Sequence, residues 1–155
     1  MKTLRVYADT SVWGGCFDPE FAEDSCRVID AVKEGRVVLL VSDLLVRELE
    51  PAPEPVRALL AALPADAAEI VMLSEESEAL RDAYLAAQII GPSARNDAAH
   101  IAIATVARAD AVVSWNFRHI VRLDKIKAYN QVNLANGYGI LTIVSPKEVR
   151  FDEPA

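Results

Sequence analysis

The segment from Asp97 to Ala109 constrains this chain more than any other. Ala98, Ala99, Ile101, Ala102, Ile103, Ala104, Val106 and Ala107 put apolar side chains on nearly every side of a helix. A helix apolar all round belongs in the interior, covered by other elements. The rest of the chain must supply that cover.

The flanking segments alternate strand and helix. Leu4 to Ala8 reads as a first strand running into a turn at Asp9-Thr10-Ser11. Pro19 opens a helix through Lys33, which Gly35 closes. Arg36 to Val41 is a β-branched, buried second strand, and Ser42 is suited to cap a short helix from Asp43 to Glu50. Pro51, Pro53 and Pro55 interrupt the chain before another helix to about Leu63. Glu69 to Leu73 gives a third strand, and Ser74 caps a helix running to about Ile90. Ala111 to Trp115 and Ile140 to Val144 complete the set. The pattern predicts a single α/β domain, with a mostly parallel central sheet of four to five strands flanked by helices. Residues 1–150 form that domain, and residues 151–155 form a short C-terminal tail.

A chain of 155 residues fits one domain and can bury roughly 70% of the surface its unfolded form exposes. Its longest apolar runs fall far short of the ~20 residues needed to span a bilayer, and the N-terminus lacks the apolar stretch of a signal peptide. Cys16 and Cys26 lack CxxC spacing and suit two free thiols in a reduced cytoplasmic protein. The net charge of −7 counts against tight non-specific binding of nucleic acid, and suits a partner protein with a basic segment.

In a parallel α/β sheet, ligands bind beyond the carboxyl ends of the strands. Asp9 follows the first strand directly, Asn116 follows the fourth, Glu48 lies on the short helix after the second, and Asp97 begins the buried helix. Helical spacing puts Glu48 on one face with Leu44 and Leu45. A carboxylate there needs a metal or an ionic partner, and Arg47 is one candidate. Each of the others also has a plain reading: a turn for Asp9 and Asn116, a helix cap for Asp97. As a set they are oxygen-rich, which suits Mg²⁺ or Mn²⁺ better than zinc. Such ions can align a water for attack on a phosphodiester. His100, one turn after Asp97, suits a supporting role better than ligation.

Four segments in order resemble the PIN-domain ribonuclease family, which includes VapC-like toxins. They are Val6-Tyr7-Ala8-Asp9-Thr10-Ser11-Val12-Trp13, Ser42-Asp43-Leu44-Leu45-Val46-Arg47-Glu48-Leu49, Asn96-Asp97-Ala98-Ala99-His100-Ile101-Ala102 and Ser114-Trp115-Asn116-Phe117-Arg118-His119-Ile120. The resemblance covers nearly the whole chain. It implies a metal-dependent endoribonuclease with Asp9, Glu48, Asp97 and Asn116 in the catalytic site. Asp9, Glu48 and Asp97 would hold Mg²⁺ or Mn²⁺, with the hydroxyl of Thr10 or Ser11 close by. It further implies an RNA substrate, an antitoxin partner and a homodimer; the short apolar runs imply no membrane association. Many relatives carry aspartate where this chain has Asn116. That change predicts one tightly held ion rather than two.

Two other readings follow from the same residues. Asn116 and the negative net charge fit a catalytically weak or inactive binding module on the same fold. An aspartate after a strand also fits a receiver-like phosphoacceptor, but the first strand lacks a paired acidic residue and no clear lysine follows the last. Trp13, Phe17, Trp115 and Phe117 flank the site in sequence, as core residues or as stacking surfaces for unpaired bases. Arg118, Arg122, Lys125 and Lys127 form a basic stretch suited either to phosphates or to a solvated helix face.

Overall fold

The computed structural model describes residues 3–151. Five strands, β1 (Leu4–Ala8), β2 (Val37–Ser42), β3 (Ala68–Val71), β4 (Ala111–Val113) and β5 (Thr142–Val144), form one sheet in the order β3-β2-β1-β4-β5. Every adjacent pair is parallel. The sheet is wholly parallel, and the expected α/β architecture of four to five strands is present.

The inner strands are buried on both faces because helices cover both. Tyr7, Leu40 and Val112 point into one apolar cluster with Leu80, Tyr84, Ile101, Ile103 and Tyr129. Their neighbours Val6, Ala8, Leu39, Val41 and Val113 point into the other, with Trp13, Val28, Ile29, Leu45 and Val56. The alternation follows the period of two along a strand. The first face is covered by α5 (Glu75–Ala86), α6 (Arg95–Val106) and α7 (Leu123–Ala135). The second is covered by α1 (Thr10–Gly15), α2 (Ala22–Lys33), α3 (Asp43–Leu49) and α4 (Glu54–Ala61). Helix α6 is buried without a break from Ala98 to Thr105, as its all-round apolar sequence requires.

Several boundaries differ from expectation. The turn at Asp9-Thr10-Ser11 is the start of a real helix: Val12 N–H donates to the Asp9 carbonyl at 3.2 Å, and α1 runs on to Gly15. Strand β3 starts at Ala68 and stops at Val71. Strand β4 stops at Val113, so Ser114 and Trp115 belong to the loop beyond it. Strand β5 begins at Thr142, and Ile140 stands exposed ahead of it.

Helix α7 has a weak sequence signal because only Tyr129 and Asn133 on it are buried. Its anchor is partly polar. Tyr129 packs edge-on against Tyr84 at 4.9 Å, and the Asn133 amide oxygen accepts the Tyr84 hydroxyl. Phe151, assigned by sequence to a tail, packs against the second core cluster, and its carbonyl accepts from Arg36 at 3.1 Å. The remainder of that tail, 152–155, lies outside the described residues.

Ile101 is fully enclosed in α6. Ile101→Ala is expected to lower unfolding free energy by about 2–5 kcal/mol, the range for deleting a buried aliphatic side chain. Urea titration followed by circular dichroism reads this directly, and a loss under ~1 kcal/mol would mean that the site collapses readily around the gap.

Candidate metal centre

The cleft forms where three elements begin or end. Strand β1 delivers Asp9 to the carboxyl edge of the sheet, and the Asp9 N–H still pairs with Val113 of β4 at 3.2 Å. Ser42 caps α3, accepting from Leu45 N–H at 3.0 Å, and sets the rotation that points Glu48 inward. The Gly91-Pro92-Ser93 break turns the chain into α6, whose first turn carries Asp97. Asp9, Thr10, Ser11, Glu48, Asp97, His100 and Asn116 line one cleft of 410 Å³. A larger cavity of 730 Å³ lies at the other end of α6, around Thr105, Arg108 and Tyr138. It holds none of these groups.

Asp9 is 4% exposed and has neither a lysine nor an arginine partner among the described residues. Ser11 Oγ donates to its Oδ1 at 2.5 Å, and Ser114 Oγ donates to its Oδ2 at 2.7 Å. Each serine also accepts a backbone N–H from the loop after β4: Ser11 from Trp115 at 2.9 Å, Ser114 from Asn116 at 2.9 Å. The carboxylate is thereby clamped to that loop. Burial pushes its pKa above the ordinary value, bonds from Ser11 and Ser114 and the proximity of His100 oppose the rise, and Asp97 adds to it. The side chain makes no capping bond to α1, so the turn reading does not describe it.

Glu48 does not pair directly with Arg47. Its Oε1 accepts from Thr10 Oγ1 at 2.5 Å and meets His100 Nε2 at 2.5 Å. Burial raises its pKa, but the bond from His100, with Thr10 and Arg47, holds it below the ordinary value. His100 is itself enclosed, with Nδ1 2.5 Å from the Tyr7 hydroxyl. The Asp97 side chain makes no hydrogen bond or ion pair among the described residues, and the cap position of α6 is Ala94. Asn116 does serve as a turn residue. Its Oδ1 accepts from Arg118 N–H at 3.2 Å and His119 N–H at 2.9 Å, which leaves the amide NH₂ as its free polar group.

The sequence reading missed Ser114 as a clamp because a serine at a strand end carries no distinguishing signal. The aromatics divide. Trp13 is core; Trp115 packs against Phe21 and donates from Nε1 to Ser25 at 2.7 Å; Phe17 and Phe117 are about half exposed. Of the basic stretch, Arg122 pairs with Asp124 at 2.8 Å, and Lys125 donates to the Ile89 carbonyl.

The donor chemistry fits a hard cation: two carboxylates without a cationic side-chain partner, a third held by one oxygen, and no cysteine. As arranged, no three His, Cys, Asp or Glu side chains among the described residues already form a metal-holding group.

The fold is an α/β fold of PIN type, and solved structures share its architecture. A chain of the VapBC2 complex from Rickettsia felis, crystallised with a DNA fragment from the promoter, matches with TM-score 0.60 at 13% identity, covering 92% of this chain and 98% of that one. VapC20 of Mycobacterium tuberculosis, a toxin that cleaves the sarcin-ricin loop, gives 0.57 at 12% identity over 88% and 98%. A chain of FitAcB from Neisseria gonorrhoeae gives 0.56 at 15% identity over 93% and 99%. No family model and no curated protein matches the chain. The likeness to these VapC- and FitB-type toxins is one of fold. No helix among the described residues is long and apolar enough to cross a membrane.

A buried carboxylate without a cation costs stability, even with two hydroxyl donors. Asp9→Asn is therefore expected to raise the melting temperature of the metal-free protein, by roughly 2–4 °C for each kcal/mol relieved. A drop in thermal denaturation scans would show that the serine clamp already compensates the charge.

Proposed function

We propose that this protein is a metal-dependent endoribonuclease that cleaves RNA phosphodiester bonds, acting as the toxin of a toxin–antitoxin pair. The observation that carries this reading is the single cleft in which Asp9, Glu48 and Asp97 meet at the carboxyl edge of a PIN-like sheet. Asp9, Asp97 and the unbonded oxygen of Glu48 would hold Mg²⁺ or Mn²⁺. When bound, such an ion supplies a more acidic water and offsets charge on phosphate oxygens. The chain's own residues do the positioning. Ser11 and Ser114 fix the Asp9 carboxylate, Thr10 and His100 fix Glu48, and the Asn116 amide offers a donor toward a phosphate oxygen. The VapBC2 and FitAB structures contain promoter or IR36 DNA fragments. By that likeness we assign this chain a basic antitoxin partner, suited to its net charge of −7, and a homodimeric state.

Single-stranded RNA incubated with the protein and Mn²⁺ or Mg²⁺ should be cut, and chelation should stop the cutting. Asp9→Asn should lose at least about 100-fold, on the scale of ~2.7 kcal/mol of lost transition-state stabilisation. Cleavage that survives both chelation and Asp9→Asn removes the case for a metal nuclease.

The turn bonds on Asn116 favour a second reading, a PIN-fold binding module with weak or no activity, because its oxygen is already used. Under that reading the unmodified protein cuts little and Asn116→Asp raises the rate sharply. Robust cleavage by the unmodified chain excludes it.

A further inference from the structure

Glu48 is held by a ring of hydrogen bonds that passes through three elements and returns to its own helix. Glu48 Oε1 meets His100 Nε2 on α6 at 2.5 Å. His100 Nδ1 meets the Tyr7 hydroxyl on β1 at 2.5 Å. Tyr7 meets Ser42 Oγ at 2.7 Å, and Ser42 accepts from Leu45 N–H at 3.0 Å in the first turn of α3, one turn before Glu48. Tyr7, Ser42 and His100 are at most 2% exposed.

One direction of donation satisfies every proton in this ring. Leu45 N–H donates to Ser42, Ser42 to Tyr7, Tyr7 to His100 Nδ1, and His100 Nε2–H to Glu48. Reversing it makes Nδ1 the donor to Tyr7 and leaves the Ser42 hydroxyl proton without an acceptor among the described residues. We infer that His100 is a positioning residue for Glu48, locked by Tyr7 and Ser42 in the Nε2–H form, so that one Glu48 oxygen is fixed and the other is presented to the cleft. A partner that fixes a ligand's orientation in this way acts on metal affinity as well as on packing. An apolar layer would bury the same space without three desolvated polar side chains. The ring also ends on the one charged side chain of α3 that lines the cleft. This inference rests on the proposed reading of Glu48 as a metal ligand.

Two measurements test it. Two-dimensional ¹⁵N spectra of the metal-free protein should show His100 protonated at Nε2, and Tyr7→Phe should release it to a tautomer mixture. A wild-type ring protonated at Nδ1 alone overturns the inference whatever the metal does. Calorimetric titration with Mn²⁺ should then show His100→Leu losing about 10- to 100-fold in affinity, with His100→Gln, which keeps an N–H donor, recovering part of it. Wild-type affinity in a folded His100→Leu shows that the ring serves packing only, and leaves the nuclease reading standing. Absence of Mn²⁺ binding by the wild type removes that reading and the inference with it. If His100→Leu does not fold, Tyr7→Phe, which lacks a single oxygen, carries the titration, and unchanged affinity there overturns the role of the ring.

Discussion

The burial of a carboxylate at the carboxyl end of the central strand is the constraint on which the rest of the cleft depends. Asp9 sits where β1 has β2 on one side and β4 on the other, so both flanks are closed by sheet. Desolvating an ionised carboxylate costs several kcal/mol unless donors surround it. Ser11 and Ser114 meet part of that need, and because each also accepts an N–H from the loop after β4, they carry the constraint outward to Trp115 and Asn116. The shape of that loop follows from how Asp9 is solvated.

Glu48 shows the same logic from the other side of the cleft. Its helix is only seven residues long, too short to hold its own geometry by propensity. Its orientation is set by neighbours instead: the Ser42 cap at its start, Thr10 from α1, and His100 from the buried α6. The all-round apolar character of α6 thus has a second consequence. It lets that helix sit deep enough for His100 to reach both Tyr7 under the sheet edge and Glu48 at the cleft.

Much of this was legible in the sequence. The alternation of β-branched runs with helical patterns was enough for a parallel α/β sheet, and the four polar residues placed after strands β1 and β4 and on helices α3 and α6 fall on one cleft. The illegible parts share a physical cause: their signals are polar and non-local. Helix α7 is anchored by an amide, Asn133, on a tyrosine 49 residues away, so no apolar stripe announces it. Ser114 looks like any loop serine until the fold brings it to Asp9, 105 residues away. The group that meets Glu48 is His100, and sequence spacing cannot reveal a histidine 52 residues later.

The charge distribution bears on how a polyanion would be recognised here. Two of the four basic residues after β4 are already used within the protein, Arg122 by Asp124 and Lys125 by the Ile89 carbonyl. Arg118 and Lys127 remain on the surface of a chain whose net charge is −7. Under the proposed function, few basic groups in this stretch would mean little counterion release from it and a weak general attraction to RNA there. Selectivity must then come from the cleft itself, where a cation would reverse the local sign of the field that the three carboxylates create. In such a site a bound ion would also make the cleft approachable for a phosphate. Under the proposed function a bound cation would offset the carboxylate charge that repels a phosphate, and by linkage a bound phosphate would in turn favour the cation.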